Sequence, residues 1–287
     1  MTSLLSGLLF VGSILFYSRV FSYNDTITHP AITNNIVNVY NENFDLKLSE
    51  QEKEWVKQGS IAEDTPTRWM NHFYHPVSGR GLFGYLSSKD WAQNSFFQSM
   101  EFGGNQTWEK ALDPYVKGDK RSAFFALGHV LHLIEDATVP AHTRLDIHPT
   151  GDPYEGWVEE NIGNNIHFNV EPVSIVDLKS AFDNVAYFSS SHFLSKDTIE
   201  KNEVSKIDRF YKKINENEEI ECLRGFVDNK MFCLLRVKTI SKNDEYFFDN
   251  FVHSDYFSLL VPKAVSYGAG VIDLFFREAE KKKLEQS

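Results

Sequence analysis

Cysteine is scarce in this chain. Two occur in 287 residues, Cys222 and Cys233, with no Cys-x-x-Cys and no third thiol, which excludes a cysteine-ligated zinc site and gives no support to cysteine catalysis. Positive charge is also short. Lys and Arg number 29 against 40 Asp and Glu, a formal net charge of −11, so a broad surface for coating polyanions is excluded. Internal repeats and low-complexity linkers are absent. What remains is globular in composition, 42% hydrophobic and 24% charged, with 24 Phe, enough apolar mass for one large core or two small ones. Ten histidines are present. They keep open a site built on bound cations, which would reverse the local field whatever charge the surface carries.

Residues 4–21 are almost wholly apolar, and Val20, Phe21 and Ser22 place small residues where a leader peptidase needs them. Residues 1–22 therefore read as a signal peptide cleaved before Tyr23, which predicts a secreted or periplasmic protein. No basic residue precedes the apolar core and Arg19 lies beyond it, so the alternative is an uncleaved N-terminal membrane anchor. No cysteine lies there, which excludes lipoprotein processing. The two cysteines flank a turn-like Val227-Asp228-Asn229 within an alternating stretch, a β-hairpin inserted at about residues 218–240. Either a cross-strand disulfide or two buried thiols on facing strands fits that placement.

The rest of the chain has helical spacing. Residues 26–41 carry apolar residues at helical intervals, and Ser49 with Glu52 forms a capping box opening a helix towards Ala62. Residues 64–88 are loop-like, and short helices are expected from Asp90 to about Met100 and around Trp108. From Asp119 to Ala137 the sequence is apolar nearly all round, as the central helix of a bundle is. Helices follow from about Tyr154 and through Phe182, Val185 and Phe188. The last helix spans Asp255 to Glu280, with Pro262 at a kink or a fresh start. The expectation is one all-α domain, residues 23–287, with a small β-hairpin insertion.

The apolar helix contains His129, His132, Glu135 and Asp136. His132 and Asp136 stand at i and i+4, on one face and one turn apart, where both can reach one ion. A buried carboxylate needs a cation beside it. Alone, the pair is accounted for as a hydrogen-bonded core pair, but more donors follow and precede it. Downstream are His142 in Val-Pro-Ala-His, then His148 and Glu155; upstream are Asp64, His72 and His29. Nitrogen and oxygen donors without thiolate suit hydrolytic zinc, ahead of manganese or iron.

In this order and spacing, with His-Leu-Ile-Glu-Asp at 132–136 and Val-Pro-Ala-His at 139–142 as its most specific parts, the sequence resembles the zinc-dependent phospholipase C and single-strand nuclease superfamily. The resemblance covers roughly residues 23–160. It implies a phospholipase C-like helical bundle and a site for up to three zinc ions. Asp64, His72, His132 and Asp136 would hold one ion. His142, Glu155 and a further histidine would hold a second. His29, the bridging Asp136 and the backbone amine and carbonyl of a mature N-terminal Tyr23 would hold the third. The family usually begins on Trp, where this chain has Tyr23. Where the phospholipases carry the second-site histidine, four residues before the acid, this chain has Gly151. His148 is the expected substitute, with Asp152 as the fallback.

Zinc would lower the pKa of water so that hydroxide attacks phosphorus, with Asp64 both a ligand and the candidate general base. The expected function is a phospholipase C-type phosphodiesterase acting on phospholipid or another phosphodiester, with a membrane surface as partner. A single-strand nuclease with the same cluster is the alternative, and would need a stacking pocket and a basic groove. A secreted, non-catalytic metal-binding helical protein is the other. The acid surplus favours lipid. His129 reads either as a donor behind the ligands or as a core histidine. His75, His167, His192 and His253 read as surface or structural. Arg68 and Arg144 could meet a phosphate, but ion pairs with Glu63 and Asp146 account for them as well. Trp91, Trp108 and the Phe96-Phe97 pair could line a pocket but fit a core equally.

Overall fold

The computed structural model describes residues 26–65, 67–148, 151–163 and 166–287; the apolar leader and Tyr23 lie outside them. Helix α1 (Thr28–Asn43) is followed by α2 (Glu50–Glu63), opened by the expected Ser49–Glu52 capping box. The stretch expected as one short helix is two, α3 (Ser88–Trp91) and α4 (Ser95–Met100), separated where the Asn94 side chain caps the second by accepting from Phe97 N. Then come α5 (Trp108–Val116), α6 (Lys120–Asp136), α7 (Pro140–Thr143), α8 (Pro153–Asn161), α9 (Leu178–His192) and the single turn α10 (Lys201–Val204).

The β element is larger than a hairpin. Strands β1 (Arg209–Asn215), β2 (Glu218–Val227), β3 (Lys230–Ile240) and β4 (Asn243–Phe247) form one antiparallel sheet in sequence order. The two outer strands carry charged faces, Lys212 and Lys213 on one and Asp244 and Glu245 on the other, which hid their alternation. The central hairpin is where the sequence put it, turning at Asp228 and Asn229, both with positive φ as a two-residue hairpin turn requires. A bulge at Leu223/Arg224 shifts the register, and Cys222 and Cys233, with Cα atoms 5.3 Å apart, are joined as a disulfide.

Helix α11 (Asn250–Gln286) is longer than expected and runs through Pro262 without a fresh start. Proline removes one backbone hydrogen bond, but Leu260, Val261, Ala264 and Val265 on both sides are fully buried, and that packing carries the helix across. Alpha11 is long and apolar enough to cross a membrane, yet 67% of its apolar window is buried inside the fold, as a core helix is.

The closest helix crossing positions the site. Gly59 of α2 and Gly128 of α6 meet so tightly that a Cβ on Gly128 would lie 2.0 Å from Val56 O and one on Gly59 would lie 1.9 Å from Phe125 O. This contact brings the C-terminal ends of α2 and α6 together, and those ends carry Asp64 and Asp136. Gly128→Ala should therefore destabilise the protein by about 1–3 kcal/mol through overpacking. Gly156→Ala in α8, where an added Cβ meets nothing within 4 Å, should gain about 0.5–1 kcal/mol from backbone entropy. Urea unfolding of both variants checks the pair of signs.

Candidate metal centre

Six short stretches of backbone deliver the site. The first turn of α1 carries His29, and the end of α2 carries Glu63 with Asp64 as its C-cap. A 3-10 turn at Arg68–Asn71 leads into His72. The last two turns of α6 carry His129, His132, Glu135 and Asp136; α7 carries His142, and the first turn of α8 carries Glu155. All are buried: His29, His132, Glu63, Glu135 and Asp136 are at 0% exposure, and the Asp64 side chain, at 8%, lies nearest the rim.

Asp136 is the hub. Its Oδ2 lies 2.8 Å from His72 Nδ1, 3.2 Å from His132 Nε2 and 3.8 Å from His142 Nδ1, and its Oδ1 lies 3.5 Å from His29 Nε2. Asp64 Oδ1 is 3.5 Å from His72 Nδ1 and 3.7 Å from His132 Nε2. Glu155 forms a second focus, with Oε1 3.3 Å from His142 Nε2 and Oε2 3.3 Å from His148 Nε2. Three groups thus each bring one donor atom per residue within 4.8 Å: His29, His132 and Asp136; Asp64, His72 and His132; His142, His148 and Glu155.

Every expected ligand among the described residues joins one of these groups, and His148 rather than Asp152 stands beside Glu155. Asp152 is occupied as the N-cap of α8, accepting from Tyr154 N and Glu155 N. Burial and the charge of Glu155 push its carboxyl up to about 6. Tyr23 lies outside the described residues.

The donors suit a cation. Both ring nitrogens of His142, both oxygens of Glu155 and Oδ1 of Asp64 are buried without a hydrogen bond among the described residues, and buried polar atoms in this state need a partner. Ring stacking fixes the imidazole planes, His29 on His132 with centroids 3.7 Å apart and Phe73 on His142 at 4.7 Å. Two histidines turn their other nitrogen to backbone carbonyls, His132 Nδ1 to Ser60 O at 2.8 Å and His148 Nδ1 to Asp146 O at 2.9 Å, which leaves Nε2 of each facing the donors.

The remaining candidates fall away from the site. Arg68 binds Glu63 through Nε and an Nη at 3.0 and 2.7 Å, so it is a structural ion pair. Arg144 donates to Thr198 Oγ1 and Ser190 O. Trp91 and Trp108 are buried. His75 pairs with Ser78, His167 lies near Glu42 on the surface, and His192 bonds Phe188 O. His253 is wedged against Phe248, and burial pushes its imidazole down to about 4. The sequence reading gave no site role to Glu63 and Glu135. Their signal was the repeated Glu-Asp ending both helices, on an α6 too apolar to leave Glu135 without a partner.

The profile of a family described as zinc-dependent phospholipase C matches residues 28–225, a span that takes in every described donor. The chain belongs to that family. Among solved structures, the alpha-toxin of Clostridium perfringens from an avian strain is 13% identical, matching over 90% of this chain and 65% of the toxin with a TM-score of 0.52. The alpha-toxin of Clostridium absonum is 12% identical over 90% and 66%, also at 0.52. These likenesses show the fold, and the chain spans just under two thirds of the toxins' length. No curated protein sequence matches significantly. The family's zinc dependence and the donor chemistry of the three groups agree.

In the metal-free protein the carboxylates favour protonated imidazoles at His72 and His148. Burial works against the charged imidazole, but the charge of Asp136 pushes His72 up to about 10, and the Glu155 carboxylate, 3.3 Å from its Nε2, pushes His148 up to about 10. Groups raised in the folded state stabilise it fully below their unfolded value near 6.5, and that contribution is lost as pH rises towards 10. Zinc must displace those protons. Chelated protein should therefore lose thermal stability between pH 7 and 10, and zinc binding should release protons and tighten as pH rises from 6 to 8. Calorimetric zinc titration in two buffers of different ionisation enthalpy measures the release; identical heats in both would refute it.

Proposed function

We propose that this protein is an exported zinc-dependent phosphodiesterase of the phospholipase C type, hydrolysing the phosphodiester of a phospholipid. The observation that carries the reading is the gathering of eight nitrogen- and oxygen-donor residues, with Asp136 and Glu155 as their two foci, in a chain of the zinc-dependent phospholipase C family. His29, His72, His132, His142, His148, Asp64, Asp136 and Glu155 would hold zinc, with the amine of a mature Tyr23 completing the group around His29. Bound there, zinc supplies Lewis acidity that lowers the pKa of water towards neutrality and offsets phosphate charge.

The chain's own residues supply the rest. Asp64 stands at the rim of the cluster with Oδ1 free of hydrogen bonds, and burial raises its carboxyl above the usual range against the pull of His132. Such a carboxylate accepts a proton well. Its carboxylate takes the proton of the attacking water as the new oxygen–phosphorus bond forms, and that proton passes to the departing alkoxide as its bond to phosphorus breaks. Asp136 and Glu155, each shared between several imidazoles, keep the donors in register throughout.

A lipid substrate fits the rest of the molecule better than single-stranded nucleic acid. The indoles considered for base stacking, Trp91 and Trp108, are buried, and the arginines considered for phosphate, Arg68 and Arg144, are committed to structural partners. Exposed apolar side chains are plentiful between residues 77 and 102, including Phe83, Phe96, Met100 and Phe102. The disulfide supports an oxidising compartment, and with it export.

Zinc-loaded protein should release phosphorylated headgroup from phospholipid vesicles and leave single-stranded DNA intact. Asp64→Asn should lower kcat by about 10²- to 10⁴-fold, measured on protein whose zinc content matches wild type. Hydrolysis of DNA alone would establish the nuclease reading, and a zinc-loaded protein inert on both would sink the enzyme. N-terminal sequencing of the exported chain should begin at Tyr23.

A further inference from the structure

Helices α2 and α6 end in the same dipeptide, Glu63-Asp64 and Glu135-Asp136. In each pair the aspartate joins the donor groups, and the glutamate lies behind them. Glu135 is fully buried and has two close partners. Its Oε2 is 2.5 Å from His29 Nδ1, and its Oε1 accepts from Thr33 Oγ1 at 2.7 Å, a hydroxyl itself 3.0 Å from Ser60 Oγ. On the other side of the same ring, His29 Nε2 faces Asp136 Oδ1 at 3.5 Å. His132 stacks on that ring at 3.7 Å and restricts its rotation.

Two acceptors 2.5 Å and 3.5 Å from opposite edges of one imidazole leave the proton on the nearer side. We infer that Glu135 is a positioning residue: it fixes His29 as the Nδ1–H tautomer and so makes Nε2 the nitrogen offered to the ion shared with His132 and Asp136. The inference rests on the zinc reading above and adds to it. His132 and His148 are oriented by neutral carbonyls, whereas His29 is oriented by a charged carboxylate, which also makes the ring a stronger donor. That difference falls on the group whose remaining donor is expected from Tyr23, at the end of the chain. Glu63 is built otherwise, since Arg68, Trp91 Nε1 and His129 occupy it and His72 Nε2 stands 3.7 Å away. It braces the wall of the site; Glu135 braces a single ring.

The test is zinc affinity and tautomer, read without turnover. Glu135→Gln keeps the shape and removes the charge, and Thr33→Val removes the hydroxyl that holds the carboxylate. Competition with a chromophoric chelator should show one zinc bound about 10- to 100-fold more weakly in Glu135→Gln, with the other ions held as in wild type. The loss in Thr33→Val should be smaller and of the same sign. In zinc-loaded wild type, histidine nitrogen NMR should place the His29 proton on Nδ1. A wild-type spectrum with the proton on Nε2 overturns the inference, and so does a Glu135→Gln protein that matches wild type in zinc stoichiometry and affinity. If Glu135→Gln does not fold, the Thr33→Val titration and the wild-type spectrum decide. A wild type that takes up no zinc overturns the functional reading and this one together; zinc uptake by wild type with no change in the variants overturns this one alone.

Discussion

Carboxylate charge in the middle of an apolar bundle is the constraint on which this structure depends. Glu63, Asp64, Glu135, Asp136 and Glu155 all lie buried around the histidines, and of these the Arg68 guanidinium meets Glu63. Each ion taken out of water costs several kcal/mol unless compensated. Imidazoles supply the compensation when they are protonated, which is why burial fails to keep His72 and His148 neutral in the absence of metal. A divalent cation does the same work with fewer groups and frees the imidazole nitrogens to become ligands. The metal-free protein meets part of this charge with protons on His72 and His148, and a cation bound there would displace them. Folding and function therefore draw on the same electrostatic term.

The exchange is feasible because the donors sit at helix ends, where the direction of a side chain is set by a cap as well as by a helical register. His29 lies in the first turn of α1, Asp64 caps the end of α2, Asp136 is the last residue of α6 and Glu155 lies in the first turn of α8. Glu155 gains from the partial positive charge of its helix N-terminus, and Asp152, by capping that helix, fixes where Glu155 stands. Asp136 has no such help at a C-terminus. The three imidazoles His132, His142 and His72 compensate it instead, and despite burial they hold its carboxyl well below the usual range.

Much of this was legible in the sequence because the strongest signals are local. The i, i+4 spacing of His132 and Asp136, the capping box at Ser49 and the all-round apolarity of residues 119–137 each depend on a single helix, and each appears as expected. His142, His148 and Glu155 are separated by only a few residues and a turn. What stayed hidden depends on contacts between distant segments. The outer strands β1 and β4 have charged faces and become strands only by pairing with the central hairpin. Pro262 reads as a break because its cost is local while the packing that offsets it is not. Glu135 was visible as a residue, but its partner His29 lies 106 positions away, and no spacing rule reaches that far.

The C-terminal third shows how far the site extends into the fold. The family profile ends at residue 225, inside β2, yet α11 lies beyond it and packs along α1, the helix that presents His29. Gly268 of α11 sits so close to Ile36 that a Cβ there would fall 2.4 Å from Ile36 Cδ1, and Gly270 meets Val173 O with the same lack of clearance. Alpha1 cannot slide along α11 without lifting the Gly268–Ile36 contact, and His29 is seven residues from Ile36 on the same helix, about two turns. The C-terminal helix contributes no donor to the cluster, but by packing on α1 it helps hold His29 opposite His132 and Asp136.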